Sequence, residues 1–369
     1  VARFGGDEFA VIASDLHDPA QAALLSQKLL DVLNKPYQIW GNEIRCGTSI
    51  GIATFGTDSP DAEALITHAD VALYRAKAEG RGTFRFFTGD MDQELKARVS
   101  LANELREAIY KDELELFYQP EVDLQTGDII GVEALLRWNH PQRGLLRPHE
   151  FVPAAERAGH IIELGRWAVR EACRQAREWI DASIAPDFVA INLSALQFKT
   201  PVQLEKDIAA ALQEYRVPPQ RLELELTETV LMDASRRSNE TLLRLREQGV
   251  RVAIDDFGTG YSSLDYLRRF HVDRIKIAQN FVADIEKVPG VRAIVRAALG
   301  LARELGLGVI AEGIETQEQL ELLKSWGCNE GQGYYFARPL RADDITRLLR
   351  SRPSLDSVGD APEKSRAGL

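Results

Sequence analysis

The sequence predicts an α/β protein: a TIM-like (β/α) barrel whose first two strands pair antiparallel, preceded by a smaller, partial α/β unit. Three observations carry that expectation. From Leu114 onward, short apolar runs give strands near 114–119, 129–136, 188–194, 222–226, 251–255, 273–277, 308–312 and 332–336. Helical spacing fills most of the gaps, as from Leu164 to Trp179 and from Val291 to Leu305, and this repetition over roughly 240 residues favours a closed barrel over an open sheet. The first connection, Asp123 to Asp128 around Gly127, is too short for a helix, so the first two strands form a hairpin.

Taken in order, residues 1–88 form the small α/β unit. Phe9 to Ala13 is strand-like, and Ala20 to Leu33 places Leu24, Leu25, Leu29, Leu30 and Leu33 at helical spacing. Ile44 to Phe55 alternates as a strand does, and Ala62 to Ala78 puts Leu65, Ile66, Ala69, Leu73 and Ala76 on one helical face before Gly80 ends it. Within this unit, Arg3-Phe-Gly-Gly-Asp-Glu-Phe9 joins a tight turn at Gly5 and Gly6 to the acids Asp7 and Glu8. Lys77 and Arg81, four apart, would present two cations on one helix face. Residues 89–111, with Leu95, Val99, Leu101, Leu105, Ala108 and Ile109, are expected to be a linker helix. The barrel is assigned to 112–351. Arg352 onward, with Pro353, Gly359, Pro362 and Gly368, is expected to be a disordered tail.

The bulk numbers exclude several classes. The chain is 45% hydrophobic and 27% charged, with no apolar run near the roughly 20 residues a membrane span needs. A net charge of -11 argues against polymeric nucleic acid as a partner, yet leaves room for a small phosphorylated ligand beside a carboxylate metal site. Cys46, Cys173 and Cys328 make neither a ligand pair nor a disulfide framework, which fits a reducing, cytoplasmic compartment. Because Val1 opens inside a motif, the chain is expected to be a piece of a longer protein, with a sensor or membrane-tethering segment upstream.

Chemistry concentrates at the strand ends. Asp255 and Asp256 close an apolar run, and adjacent acids repel unless a cation sits there; a turn cap at Asp256 with Asp255 in water is the plain alternative. The pattern recurs, however, through Glu133, Asn192, Glu225, Lys276, Glu312 and Gln332. Singly, Asn192 could cap a helix, Glu225 could face solvent and Lys276 could sit in an ion pair. Together, five carboxylates and an amide at one barrel mouth can hold two hard cations about 3.5 to 4 Å apart, the arrangement that clamps both oxygens of a phosphoryl displacement. Zinc is disfavoured because no His or Cys joins the set. Lys276 either steadies a hydroxide or balances the carboxylates. Arg137, four residues past Glu133, offers a planar donor fork suited to phosphate.

These residues carry a resemblance. Glu133-Ala-Leu-Leu-Arg137 resembles the signature of EAL domains, which hydrolyse cyclic di-GMP to linear pGpG. So do Tyr118-Gln-Pro120, Asn192-Leu-Ser194, Glu225-Leu-Thr-Glu228, Asp255-Asp-Phe-Gly-Thr-Gly-Tyr-Ser-Ser263, Lys276-Ile277, Ala311-Glu-Gly-Ile-Glu315 and Gln332-Gly-Tyr-Tyr-Phe336. The resemblance implies that Glu133, Asn192, Glu225, Asp255 and Asp256 hold two Mg²⁺ or Mn²⁺ ions. Glu312 would complete the site or act as base, Lys276 would orient the attacking water, and Glu133 and Asp256 would count among the catalytic residues. Gln119, Leu135, Arg137 and Gln332 would contact the dinucleotide, Glu228 would anchor the loop from Asp256 to Ser263, and two chains would pair through 256–270. The family usually continues Lys-Ile-Asp, whereas this chain has Ala278; the missing carboxylate, expected on the same strand face as Lys276, implies reduced but not abolished turnover. A catalytically weak or silent cyclic di-GMP receptor is the rival, and a barrel isomerase or aldolase explains Asn192 and the doubled aspartate less economically.

Arg3 to Phe9 in turn resembles the GGDEF motif of diguanylate cyclases. By that resemblance Gly5 and Gly6 let backbone approach a nucleotide, Asp7 ligates a metal beside Glu8, and Lys77 and Arg81 meet phosphates. The family's first half would lie upstream of Val1, so no cyclase activity is expected, and cyclic di-GMP made from GTP by these 369 residues would overturn that expectation.

Overall fold

The computed structural model describes residues 1–351 apart from 15, 17–18, 40–41, 45, 57, 59–60, 233–234 and 260–271, with backbone alone for 19–20, 39, 42 and 90–99. The expected tail and the loop from 260 to 263 lie outside the described residues. The chain divides into two compact units between Leu101 and Ala102.

In the second unit eight strands close a barrel: β1 (Leu114–Asp123), β2 (Ile129–His140), β3 (Phe188–Asn192), β4 (Leu222–Thr227), β5 (Arg251–Phe257), β6 (Arg274–Ile277), β7 (Gly308–Ala311) and β8 (Glu330–Gly331). Neighbours from β2 through β8 run parallel, while β1 is antiparallel to both β2 and β8 and so closes the ring in reverse. The hairpin between β1 and β2 follows from the turn at Asp123, whose side chain accepts from the Gln125 and Thr126 amides at 2.8 Å each. The eighth strand differs from its sequence expectation. It occupies Glu330–Gly331, and 332–336 is a turn whose backbone pairs with Ile314 instead.

Helices cover the barrel because each offers one apolar stripe. Ile161–Asp181 buries Leu164, Val169, Ala172, Ala176 and Trp179; the Trp179 ring meets Tyr118 edge to face at 5.0 Å, and its Nε1 donates to Thr346 Oγ1 at 2.7 Å. Among the described residues no helix is long and apolar enough to cross a membrane.

Inside the barrel, strand periodicity stacks side chains in layers. One layer is a buried ion cluster that the motifs did not point to. Arg274 Nη2 donates to Glu121 Oε2 and Glu223 Oε1 at 2.6 Å each, and its Nη1 to Glu330 Oε2 at 2.7 Å. Glu121 and Glu223 are fully buried, and Gly308 leaves the room, since a Cβ there would lie 2.9 Å from Arg274 Cγ. Arg274→Ala should therefore destabilise the barrel by about 3–5 kcal/mol, because buried carboxylates lose their counter-charge. A urea midpoint unchanged by that substitution would contradict the cluster's role.

In the first unit, Ala2–Gly5 and Glu8–Ala10 form a hairpin, with Gly6 at φ +52 and the Arg3 guanidinium donating to the Gly6 carbonyl. Helices span Pro19–Leu33 and Ala62–Ala78, and the single strand expected over 44–55 is instead Asn42–Ile44 and Ile50–Ile52. The second helix ends at Ala78, and Arg81 lies beyond it at φ +63. Helical spacing therefore does not place Arg81 on one face with Lys77, contrary to expectation. Helix Gly89–Ala108 follows, and its last turns belong to the barrel unit, where Glu104 meets buried His140 at 2.6 Å.

Candidate active site

At the carboxyl ends of the strands, Lys276 is the centre of a carboxylate ring. It rises from β6 with only 1% of its surface exposed, and its Nζ lies 2.7 Å from Glu225 Oε1 and 2.7 Å from Glu312 Oε1. Glu133 Oε2 and Asp255 Oδ1 stand at 3.7 and 3.9 Å. One ammonium thus faces four carboxylates brought in by four other strands. Glu133 sits mid-strand and not at an end, because β2 runs on to His140 and pairs there with Gly144–Leu146.

Amides fix the Glu133 carboxylate from both sides. Asn192 Nδ2 donates to Oε1 and Gln332 Nε2 to Oε2, each at 2.7 Å, so Asn192 is part of the ring and does not cap the following helix, whose cap is Ser194. Gln332 also donates to Gln119 Oε1 at 3.0 Å, and Gln119 Nε2 to the Ala337 carbonyl at 3.1 Å. Burial alone would raise the Glu133 pKa, but Lys276 and the two amide donors hold it below the usual carboxylate value.

Asp255 and Asp256 reach the mouth together because β5 is irregular there. The register between β5 and β6 shifts between Ile254 and Phe257, and Asp256 has φ +53, the left-handed region. Neighbours on a regular strand point to opposite faces; a bulge relaxes that rule. Here Asp255, Asp256 and Glu312 bring carboxylate oxygens within 4.8 Å of one another. Backbone strain of this kind concentrates at functional sites.

The donor set fits a hard divalent cation. Both oxygens of buried Glu225 have no hydrogen-bond donor, and Lys276 meets Oε1 only as a charge. Burial pushes the Glu312 carboxyl up to about 8 and that of Glu225 well above its ordinary value, while Asp256 is raised by burial and by Asp255. Oxygen-only ligands with a deficit of positive charge suit Mg²⁺ or Mn²⁺. A cation must displace the proton from Glu312, so affinity for Mn²⁺ should rise as pH increases from 6 through about 8. Titration calorimetry across that range checks it, and a flat profile would refute it.

Arg137 and Leu135 share the inward face of β2 with Glu133. The Arg137 guanidinium lies over Phe117 at 5.2 Å and donates to the Leu136 carbonyl at 2.7 Å, beside the carboxylate ring and not bonded into it. Glu228 is buried, and its Oε2 accepts the Gly258 amide at 3.2 Å, which ties down the backbone just after β5. Ala278 corrects the same-face argument. Strand β6 ends at Ile277, and Ala278 is the N-cap of helix Gln279–Asp284, with no side-chain cap. In the first unit, Gly5, Gly6, Asp7, Glu8, Lys77 and Arg81 are all exposed.

The model of the EAL domain matches residues 102–339. This chain belongs to the EAL-domain family. Its residues 1–83 match the family described as diguanylate cyclase, GGDEF domain. MucR of Pseudomonas aeruginosa, named a bifunctional diguanylate cyclase/cyclic di-GMP phosphodiesterase, is 42% identical over 345 residues, which are 94% of this chain and 50% of MucR. The cyclic di-GMP phosphodiesterase PdeR of Escherichia coli is 40% identical over 350 residues, 95% of this chain and 52% of PdeR. This EAL chain thus spans about half the length of those relatives. Among solved structures, the PaMucR phosphodiesterase in its c-di-GMP complex is 43% identical with a TM-score of 0.64, covering 67% of this chain and 99% of that one. The EAL enzyme Bd1971, with cAMP and cyclic di-GMP bound, is 30% identical with a TM-score of 0.67, covering 79% and 77%.

The motifs did not single out Glu121, Glu223, Arg274 and Glu330. A signal was present, since each lies two residues from Gln119, Glu225, Lys276 and Gln332, and the first three pairs share a strand face with the cluster residue one layer deeper.

Proposed function

We propose that this chain hydrolyses cyclic di-GMP to linear pGpG with two Mg²⁺ or Mn²⁺ ions at the barrel mouth. One observation carries the reading: a carboxylate ring around buried Lys276 in which both oxygens of Glu225 lack a donor. Relatives named as cyclic di-GMP phosphodiesterases, aligned over nearly the whole chain, support it.

Ions held by Glu133, Asn192, Glu225, Asp255, Asp256 and Glu312 would lower the pKa of a water and neutralise charge on the departing 3′ oxygen. The chain's own residues do the rest. Asn192 and Gln332 lock the rotamer of Glu133. Lys276 keeps Glu225 and Glu312 in place by charge and orients the attacking water. Glu312, with its raised proton affinity, is the group suited to take the proton of that water. Arg137 offers its fork to a phosphate oxygen, and Gln119 and Leu135 line the approach.

Incubation with cyclic di-GMP and Mn²⁺, followed by chromatography, should show pGpG accumulating and EDTA stopping it; intact substrate in both arms would defeat the proposal. The alternative, a weak or silent receptor, rests on Ala278. Ala278→Asp supplies a helix cap directly after Lys276-Ile277 and should raise turnover, and an unchanged rate would remove Ala278 as a handicap. The same reading assigns 1–88 to a partial GGDEF unit without cyclase turnover, 89–111 to a linker and 112–351 to the phosphodiesterase. It places the barrel in the cytoplasm and pairs two chains through 256–270, which size-exclusion chromatography tests.

A further inference from the structure

We infer that Arg341 and Asn139 are positioning residues: they hold the Glu115 carboxylate away from Arg137 and so keep the Arg137 fork open to a phosphate oxygen of the substrate. The inference rests on the phosphodiesterase reading above, in which Arg137 meets the dinucleotide.

Strand register brings these residues together. Strand β1 lies between β2 and a short strand, Leu340–Arg341, and runs antiparallel to both. Toward β2, Glu115 stands directly opposite Arg137 and Phe117 opposite Leu135; toward the short strand, Phe117 stands opposite Arg341. Opposed residues share a face, as do residues two apart on one strand. Arg341, Glu115, Phe117, Leu135, Arg137 and Asn139 therefore lie on the face that carries the opposed pair Gln119 and Glu133 into the site.

Glu115 is thus well placed to pair with Arg137, since a directly opposed Arg and Glu attract each other. It is held elsewhere. Asn139 Nδ2 donates to Glu115 Oε1 at 2.6 Å, and Arg341 Nη2 stands 3.1 Å from the same oxygen. Both guanidiniums lie against the buried Phe117 ring, Arg341 Cζ 5.3 Å and Arg137 Cζ 5.2 Å from its centroid, yet Arg341 alone has the carboxylate. Arg137 is buried, bonded to the Leu136 carbonyl and without an ion pair among the described residues. A buried guanidinium lacking a counter-charge is costly, and a phosphate supplies one in the geometry that its fork fits. A released Glu115 would compete with the phosphate for that fork, so the loss would be felt in substrate binding and not in the chemical step.

Arg341→Ala should raise KM for cyclic di-GMP by about fivefold, the scale of one cross-strand charge pair, with kcat unchanged. Asn139→Ala should give a smaller rise by the same route. Glu115→Gln removes the competing charge, so it should restore KM in the Arg341→Ala chain and leave KM unchanged in the natural chain. In an Arg137→Ala chain, Arg341→Ala should add nothing, because the fork it protects is gone. An unchanged KM in Arg341→Ala, or no recovery with Glu115→Gln, would overturn the inference. So would the same fivefold rise in the Arg137→Ala chain, since Arg341 would then act on the substrate through its own charge. If the natural chain binds cyclic di-GMP without cleaving it, the phosphodiesterase reading fails and dissociation constants decide the inference in place of KM. If it neither binds nor cleaves, both fail.

Discussion

Replacing Glu133 by alanine should lower the rate of cyclic di-GMP hydrolysis by about a thousandfold or more, the scale on which loss of a preorganised electrostatic group is felt. Glu133 is the carboxylate whose two oxygens are each held by an amide, from Asn192 and from Gln332, and it faces Lys276 at 3.7 Å. Alanine removes a proposed metal ligand and takes the acceptor away from the buried Gln332 amide and from the Asn192 amide. Glu133→Gln separates the effects, because it keeps the volume and loses the charge. Chromatographic assay of all three chains at saturating Mn²⁺ checks this, and a Glu133→Ala protein with the full rate would remove the ring from the mechanism.

Lys276→Met should cost the metal-free barrel about 3–5 kcal/mol of stability. Its ammonium supplies the positive charge within 4 Å of Glu133, Glu225, Asp255 and Glu312, and burial denies those groups water. Their mutual repulsion is then unrelieved unless they take up protons or a cation. Mn²⁺ should accordingly stabilise Lys276→Met by more than it stabilises the natural chain, while turnover stays low because the water has lost its orienting group. Urea unfolding in EDTA and in Mn²⁺ measures both arms. Equal stability of the two chains in EDTA would show that the lysine is not what balances the ring.

Particular residues show how far the sequence could be read. The run Val252 to Ile254 followed by two acids marks a buried strand with a polar end, and the short link from Asp123 to Asp128 requires a hairpin. The eighth strand escaped because Tyr334, Tyr335 and Phe336 have strand-like composition. Tertiary packing of Gly333 against Ile314 overrides it and makes 332–336 a turn. Counting puts Lys77 and Arg81 on one helix face, but the helix stops at Ala78, so counting past its end has no meaning.

Side-chain alternation and connection length are local quantities, written in the order of the residues, and they determined the barrel, its reversed first strand and the set of polar groups at its mouth. Which oxygens turn toward one another is not local. The bulge that brings Asp255 and Asp256 to one side depends on pairing with a strand some twenty residues away. The donorless oxygens of Glu225 and the four-membered cluster around Arg274 exist only because closing the ring carries charges from distant segments out of water and into the same small space.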